Sequence, residues 1–132
     1  MNRCTLLEER LTGSVIGAFF EVYNTLGFGF LENIYVLALE HELIALGHQV
    51  AREVGVRVNY KGHDLGVQRI DMIVNERLII EVKATHQLQA VSTRQLLNYL
   101  KATKLELGLL LHLGPKANFY RLISSNSPQR SP

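Results

Sequence analysis

The chain has 132 residues, 47% of them apolar and 20% charged, with a formal net charge of +2. That length builds one core and not two, and the composition excludes an intrinsically disordered chain. The small charge, with no block of Lys and Arg, excludes a protein that coats nucleic acid by bulk electrostatics, though not an enzyme that touches it.

In chain order, "TLLEERLTGSVIGAFFEVYNTLG" opens with Thr5 and Glu8 in capping-box spacing, then repeats Leu7, Leu11, Val15, Phe19, Val22, Tyr23 and Leu26 at helical intervals. A first helix is expected there, stopped by Gly27 and Gly29. A second is expected over residues 31–46, with Gly47 as its C-terminal glycine. Glu8, Glu9 and Arg10 are unlike a signal peptide, and no apolar run reaches the roughly 18 residues of a membrane span. The only cysteine, Cys4, can form neither an internal disulfide nor a Cys-based zinc site, so a cytoplasmic protein is expected.

From Gln49 the pattern turns to β-branched alternation: "VAREVGVRVNY", a turn at "KGHD", "LGVQRIDMIV", a tight "NER", and "LIIEVK". These segments predict a three-stranded meander. "STRQLLNYLKAT" follows with helical spacing and Ser92 placed as an N-cap. "LELGLLLHL" suits a strand covered on both faces, and "NFYRLI" an edge strand. Either segment offers a surface on which two copies could associate as a homodimer. The Ser/Pro-rich end has nothing to bury, which divides the chain into one domain over 1–123 and a disordered tail over 124–132. His41, His48, His63, His86 and His112 lack any metal-finger spacing and are read as structural or solvent-facing. The element order predicts an α/β (α+β) fold, a mixed central sheet flanked by helices.

Three charged residues interrupt the apolar strands of the meander: Asp71, Glu81 and Lys83. Strand alternation puts Arg69, Asp71 and Ile73 on one face and Ile79, Glu81 and Lys83 on one face. A three-residue loop of Asn75, Glu76 and Arg77 pairs Val74 with Leu78 and sets Asp71 opposite Glu81; a two-residue loop separates them onto opposite faces. Adjacent carboxylates repel unless a divalent ion such as Mg²⁺ or Mn²⁺ lies between them, and Lys83 is placed to act on a metal-bound water or a phosphate. The same pattern also fits a salt-bridged polar face on the solvent side of the sheet. Glu32 precedes Tyr35, Val36 and Leu39 along one stripe of its helix, but also fits an ordinary first-turn Glu. Gln95 and Tyr99 lie one turn apart, as would a Tyr packed on the sheet with a Gln at its edge.

"GFLENIY", that is Gly29-x-x-Glu32-x-x-Tyr35, is followed in order by "RIDMIV", "IIEVKA", "QLLNYLKAT" and "LGLLLHLG". The set closely resembles the bacterial GxxExxY protein family, assigned to the PD-(D/E)xK nuclease superfamily, over residues 11–123. The resemblance implies a restriction-endonuclease-like core with the active site on the meander. By position it implies Asp71 as the acid of the second strand, Glu81 and Lys83 as the E-x-K of the third, and Glu32 as an additional acid. Gln95 and Tyr99 match the Q-x-x-x-Y helix motif, with Gln95 holding the catalytic end of the site; Tyr35 and Tyr99 are supporting residues. It further implies Mg²⁺, replaceable by Mn²⁺, on Asp71, Glu81 and the Val82 carbonyl, with Glu32 a further candidate ligand. Ile70 stands where the superfamily name has proline. The expected function is metal-dependent hydrolysis of nucleic acid, DNA foremost; the alternative is a non-catalytic nucleic-acid- or protein-binding module on the same fold.

Overall fold

A computed structural model describes residues 3–124. The helices α1 (Arg3–Leu26) and α2 (Glu32–Ala45) lead into β1 (Val50–Tyr60), β2 (His63–Val74) and β3 (Leu78–Lys83), followed by α3 (Ala90–Thr103), β4 (Leu107–Leu113) and β5 (Ala117–Ile123). The five strands form one sheet in sequence order, antiparallel throughout except for the parallel pair β3 and β4. This is the mixed α/β architecture expected from the sequence. Among the described residues, no helix is long and apolar enough to cross a membrane.

The helices cover the sheet in two layers. The buried stripes Leu11, Val15, Phe19 and Val22 of α1 and Tyr35, Val36, Leu39 and Leu43 of α2 pack on Met72, Val74, Leu78, Ile80 and Val82 and on the odd-numbered leucines of β4. On the other face Leu96, Tyr99 and Leu100 of α3 close over Val56, Ile70, Ile79 and Leu110. Each such side chain contributes about 1.5 to 3 kcal/mol relative to exposure. Gly108 sets the distance of α3 from the sheet: a Cβ there would lie 3.0 Å from Leu96 Cδ1. Every residue of β4 is buried, as its apolar run predicts, so "LGLLLHL" is interior and cannot be a surface for association. β5 is an edge strand.

Two expected caps are displaced. α1 starts at Arg3, so Thr5 lies inside the helix. α3 starts after Gln89, which leaves Ser92 buried within the first turn. In both cases the helix begins before the polar residue that could have capped it.

The β2–β3 hairpin pairs Val74 with Leu78, leaving Asn75, Glu76 and Arg77 as the three-residue loop. Its own turn is tighter: Arg77 N–H donates to Val74 O across Asn75 and Glu76, which have φ of 53° and 58°. Arg77 is thus an extra residue after a turn with two left-handed positions. Asn75 Oδ1 accepts the Gln49 N–H at 2.8 Å, and its amide meets His48 Nδ1 at 3.1 Å, while His48 Nε2 meets Ser14 Oγ at 2.8 Å. The register that sets the site is therefore anchored to α1 and to the α2–β1 connection.

The β1–β2 turn is only Lys61 and Gly62, closed by the pair Tyr60–His63, and β2 starts two residues earlier than its apolar pattern suggests. Since β3 pairs only with Met72, Ile73 and Val74, residues 54–60 and 63–70 continue beyond it as a two-stranded ribbon. At β5, Ser124 is buried and its N–H donates to Glu106 O at 2.8 Å; the rest of the expected tail lies outside the described residues.

Candidate active site

The expected alternation through Arg69, Asp71 and Ile73 is broken. Ile70 packs on the α3 side and Met72, two residues later, on the α1–α2 side. The reversal occurs where Asp71 faces Glu53 of β1, between the pairs Arg52–Met72 and Val54–Ile70, and Glu53 has a left-handed φ of 53°. A residue in that conformation rotates the strand out of its two-residue repeat. Asp71 is the pivot, and it points into the seam between β2 and β3.

That seam is closed by side chains. Beyond Met72–Ile80 the ladder stops, and Asp71 N–H donates to Glu81 Oε1 at 2.9 Å while Val82 N–H donates to Asp71 Oδ2 at 2.7 Å. The two carboxylates have replaced the backbone carbonyls of a missing ladder pair. The Val82 carbonyl faces the same seam, because N–H and C=O of one extended residue point to the same side.

Both acids are half-buried or deeper, and their electrostatics follow. Burial pushes the Glu81 carboxyl up to about 8, with the Asp71 charge adding to the effect. Asp71 is raised by burial, opposed by the Val82 amide and by Lys83. Lys83, two residues from Glu81 on the α3 side, donates from Nζ to Gln95 Oε1 at 3.2 Å. Tyr99, one turn further along α3, is buried; its hydroxyl is raised first by burial and then by the charges of Glu81 and Asp71.

Glu32 arrives from the opposite face of the sheet. It is the first residue of α2, and its Oε2 accepts the Ala84 N–H at 3.3 Å, so it caps the end of β3. Burial raises its carboxyl. The spacing of Gly29, Glu32 and Tyr35 acquires a physical account here. Gly29 has a φ of 115°, where a side chain is strained. The fully buried Tyr35 donates its hydroxyl to Gly27 O and accepts the Phe30 N–H at 3.2 Å, pinning the loop that aims Glu32 at the strand end.

Glu32, Asp71, Glu81, Lys83 and Gln95 are thus gathered at the carboxyl end of β3, with Tyr35 and Tyr99 behind them. Glu53 is an addition to this set; a Glu on an alternating strand carries no sequence signal beyond a solvent-facing side chain. A second addition is the brace Thr85–His112, in which His112 Nε2 meets Thr85 O at 2.7 Å and holds the connection after Lys83. His112 and His48 are structural, as expected. A hollow of about 390 Å³ lined by Val50, Val54, Ile73 and Leu105 lies instead toward the β2–β3 turn and includes none of the candidate residues.

Among the described residues, no three His, Cys, Asp or Glu side chains form a ready cage for an ion. The donors that do converge, two carboxylates and a carbonyl, are hard oxygens, and Mg²⁺ is commonly held by one or two carboxylates with several waters completing its shell. Burial raises Glu81 first and the Asp71 charge second, and a divalent cation between the two acids would offset both. The residues fit such an ion.

A central mixed sheet with an acid on one strand and E-x-K on the next defines a nuclease-like class of protein. Residues 9–122 match the model of the PD-(D/E)XK nuclease superfamily, and the chain belongs to that superfamily. Proteins of this superfamily generally use divalent metals and act on nucleic acid. The fold is similar to that of the crystal structure of SSO0001, with a TM-score of 0.56 at 24% identity, covering 70% of this chain and 49% of that one. The chain thus spans about half the length of that protein. No curated protein sequence matches it.

Proposed function

We propose that the chain is a metal-dependent nuclease of the GxxExxY family, hydrolysing phosphodiester bonds of DNA in the bacterial cytoplasm. The observation that carries this reading is the interlock of Asp71 and Glu81 across the open seam, with Lys83 beside them and held by Gln95. A structural sheet would close that seam with backbone hydrogen bonds and keep two acids apart.

Asp71, Glu81 and the Val82 carbonyl are the proposed holders of Mg²⁺, with Mn²⁺ as substitute. When bound, the ion polarises the scissile phosphate and acidifies the attacking water. Lys83 stabilises negative charge that develops on the phosphate, or orients the water, through its ammonium. Gln95 fixes the Lys83 side chain, leaving its remaining protons for the substrate. Glu32 spends one oxygen on the Ala84 amide and has the other free to hold water at the edge of the site. Tyr35 and Tyr99 position these groups.

The test is incubation of the protein with single-stranded, linear duplex and supercoiled DNA in Mg²⁺, Mn²⁺ or EDTA, beside Asp71→Ala and Lys83→Ala. Metal-dependent cutting lost in both variants is expected. Cutting by Lys83→Ala at the parental rate would refute the mechanism. DNA binding with no cutting in either metal would place the chain among non-catalytic modules on this fold.

A further inference from the structure

The ribbon of residues 54–60 and 63–70 has no part in the chemistry above. It leaves the sheet at Asp71, on the side where β3 ends, and so stands beside the two carboxylates. Every residue from 57 to 69 is exposed. At about 3.3 Å per residue the part beyond α3, from Arg57 to Tyr60, reaches roughly 13 Å. A projection of that length with no covering element needs a reason to stand out from the core.

Its charge supplies one. Residues 54–70 hold Arg57, Lys61 and Arg69 against Asp64, a net +2, equal to the formal +2 of the whole chain. The rest of the molecule is neutral in sum, so the positive excess lies in this arm. The pairs Gly55–Arg69 and Arg57–Val67 place Arg57 and Arg69 on one face. The opposite face, with Val56 and Ile70, is the one packed on Tyr99 and Leu100 of α3. Arg57 and Arg69 are therefore turned to the side from which α2 delivers Glu32. The tip carries Lys61, its ammonium 5.3 Å from the centre of the Tyr60 ring, and Val58, Tyr60, Leu65 and Val67 are exposed along the ribbon.

We propose that the β1–β2 ribbon is an arm that grips duplex DNA, with Lys61 and Arg69 on phosphates; that it does so beside the scissile bond rests on the nuclease reading above. A two-stranded ribbon enters the major groove of B-form DNA, about 12 Å wide, whereas the deep, narrow major groove of duplex RNA does not admit it. Exposed Val and Leu side chains have thymine methyl groups to meet there.

The experiment is a fluorescence-anisotropy titration of the full chain with a labelled DNA duplex in EDTA across a salt series, comparing the parent with Lys61→Asn/Arg69→Gln. Asn suits the Lys61 φ of 48°, and Lys61→Asn alone serves as a milder second variant. Loss of two phosphate contacts should lower the slope of log affinity against log salt by about 2 and weaken binding roughly 10- to 30-fold near physiological salt. Hydrolysis of bis(p-nitrophenyl) phosphate in Mn²⁺, which needs no arm, should be unchanged. Equal binding by parent and double variant would overturn the proposal. So would tighter binding of single-stranded DNA or duplex RNA, or a dimeric mass in light scattering that the variant converts to a monomer. A parent that hydrolyses neither DNA nor the small diester, yet needs the arm to bind duplex DNA, would overturn the nuclease reading and support the arm.

Discussion

Glu81→Gln keeps an oxygen for the Asp71 N–H and removes an ionisable group from a buried position, so it separates what the side chain does for the fold from what it does for an ion. In the folded protein the Glu81 carboxyl is raised from 4.5 to about 8, by burial first and then by Asp71. The folded state therefore holds more protons than the unfolded chain between those two values, and stability falls as pH rises through that window. Below it both states are protonated, and above it both are ionised. At about 1.4 kcal/mol per pH unit the span corresponds to at most about 5 kcal/mol, and water at the open edge of the site reduces the expected part to about 2 or 3. Urea unfolding in EDTA at pH 5 and pH 8.5 is the assay. The parent should lose stability at the higher pH. Glu81→Gln should match it near pH 5, exceed it by about 2 kcal/mol at pH 8.5, and gain nothing from added Mg²⁺, which stabilises the parent by mass action. A variant less stable than the parent at pH 8.5, or a parent whose stability does not change over the window, would refute the argument that this acid is strained in the absence of a cation.

Tyr35→Phe removes the hydroxyl that joins Gly27 and Phe30. It should cost about 1 to 2 kcal/mol in urea unfolding and lower cleavage although no proposed ligand is altered; unchanged cleavage would separate Tyr35 from the aim of Glu32. Gly108→Ala forces Leu96 outward. It should cost about 1 to 3 kcal/mol and slow cleavage by moving Gln95 away from Lys83, whereas destabilisation with parental cleavage would show that α3 has room to adjust.

The three-stranded meander was legible from apolar alternation and short turns, but alternation left two loop lengths open between β2 and β3, and the structure takes the one that pairs Val74 with Leu78. The meeting of Asp71 with Glu81 followed from that register. What alternation could not reveal was the reversal at Asp71, since it depends on Glu53 adopting a left-handed φ, for which a Glu carries no marker. Ser92 misled for a different reason: this good capping residue is the first buried residue of α3, which begins two residues earlier on the exposed Ala90 and Val91. Glu32 was readable as a candidate, but its hold on the Ala84 amide joins residues 52 positions apart, which no local pattern encodes.

The short seam between β2 and β3 has a consequence for how the molecule opens. Only three ladder pairs join the β1–β2 hairpin to β3, against six between β3 and β4, so an opening of the sheet at this seam would leave the hairpin as one unit and β3, β4 and β5 with α3 as a second. Asp71 belongs to the first unit and Glu81, Lys83 and Gln95 to the second. Partial unfolding along this line would take the candidate site apart before either half melted, and an ion shared by Asp71 and Glu81 would act as a rivet between them. Amide hydrogen exchange at Met72 and Ile80, the last ladder pair before the two acids, would then slow on metal addition.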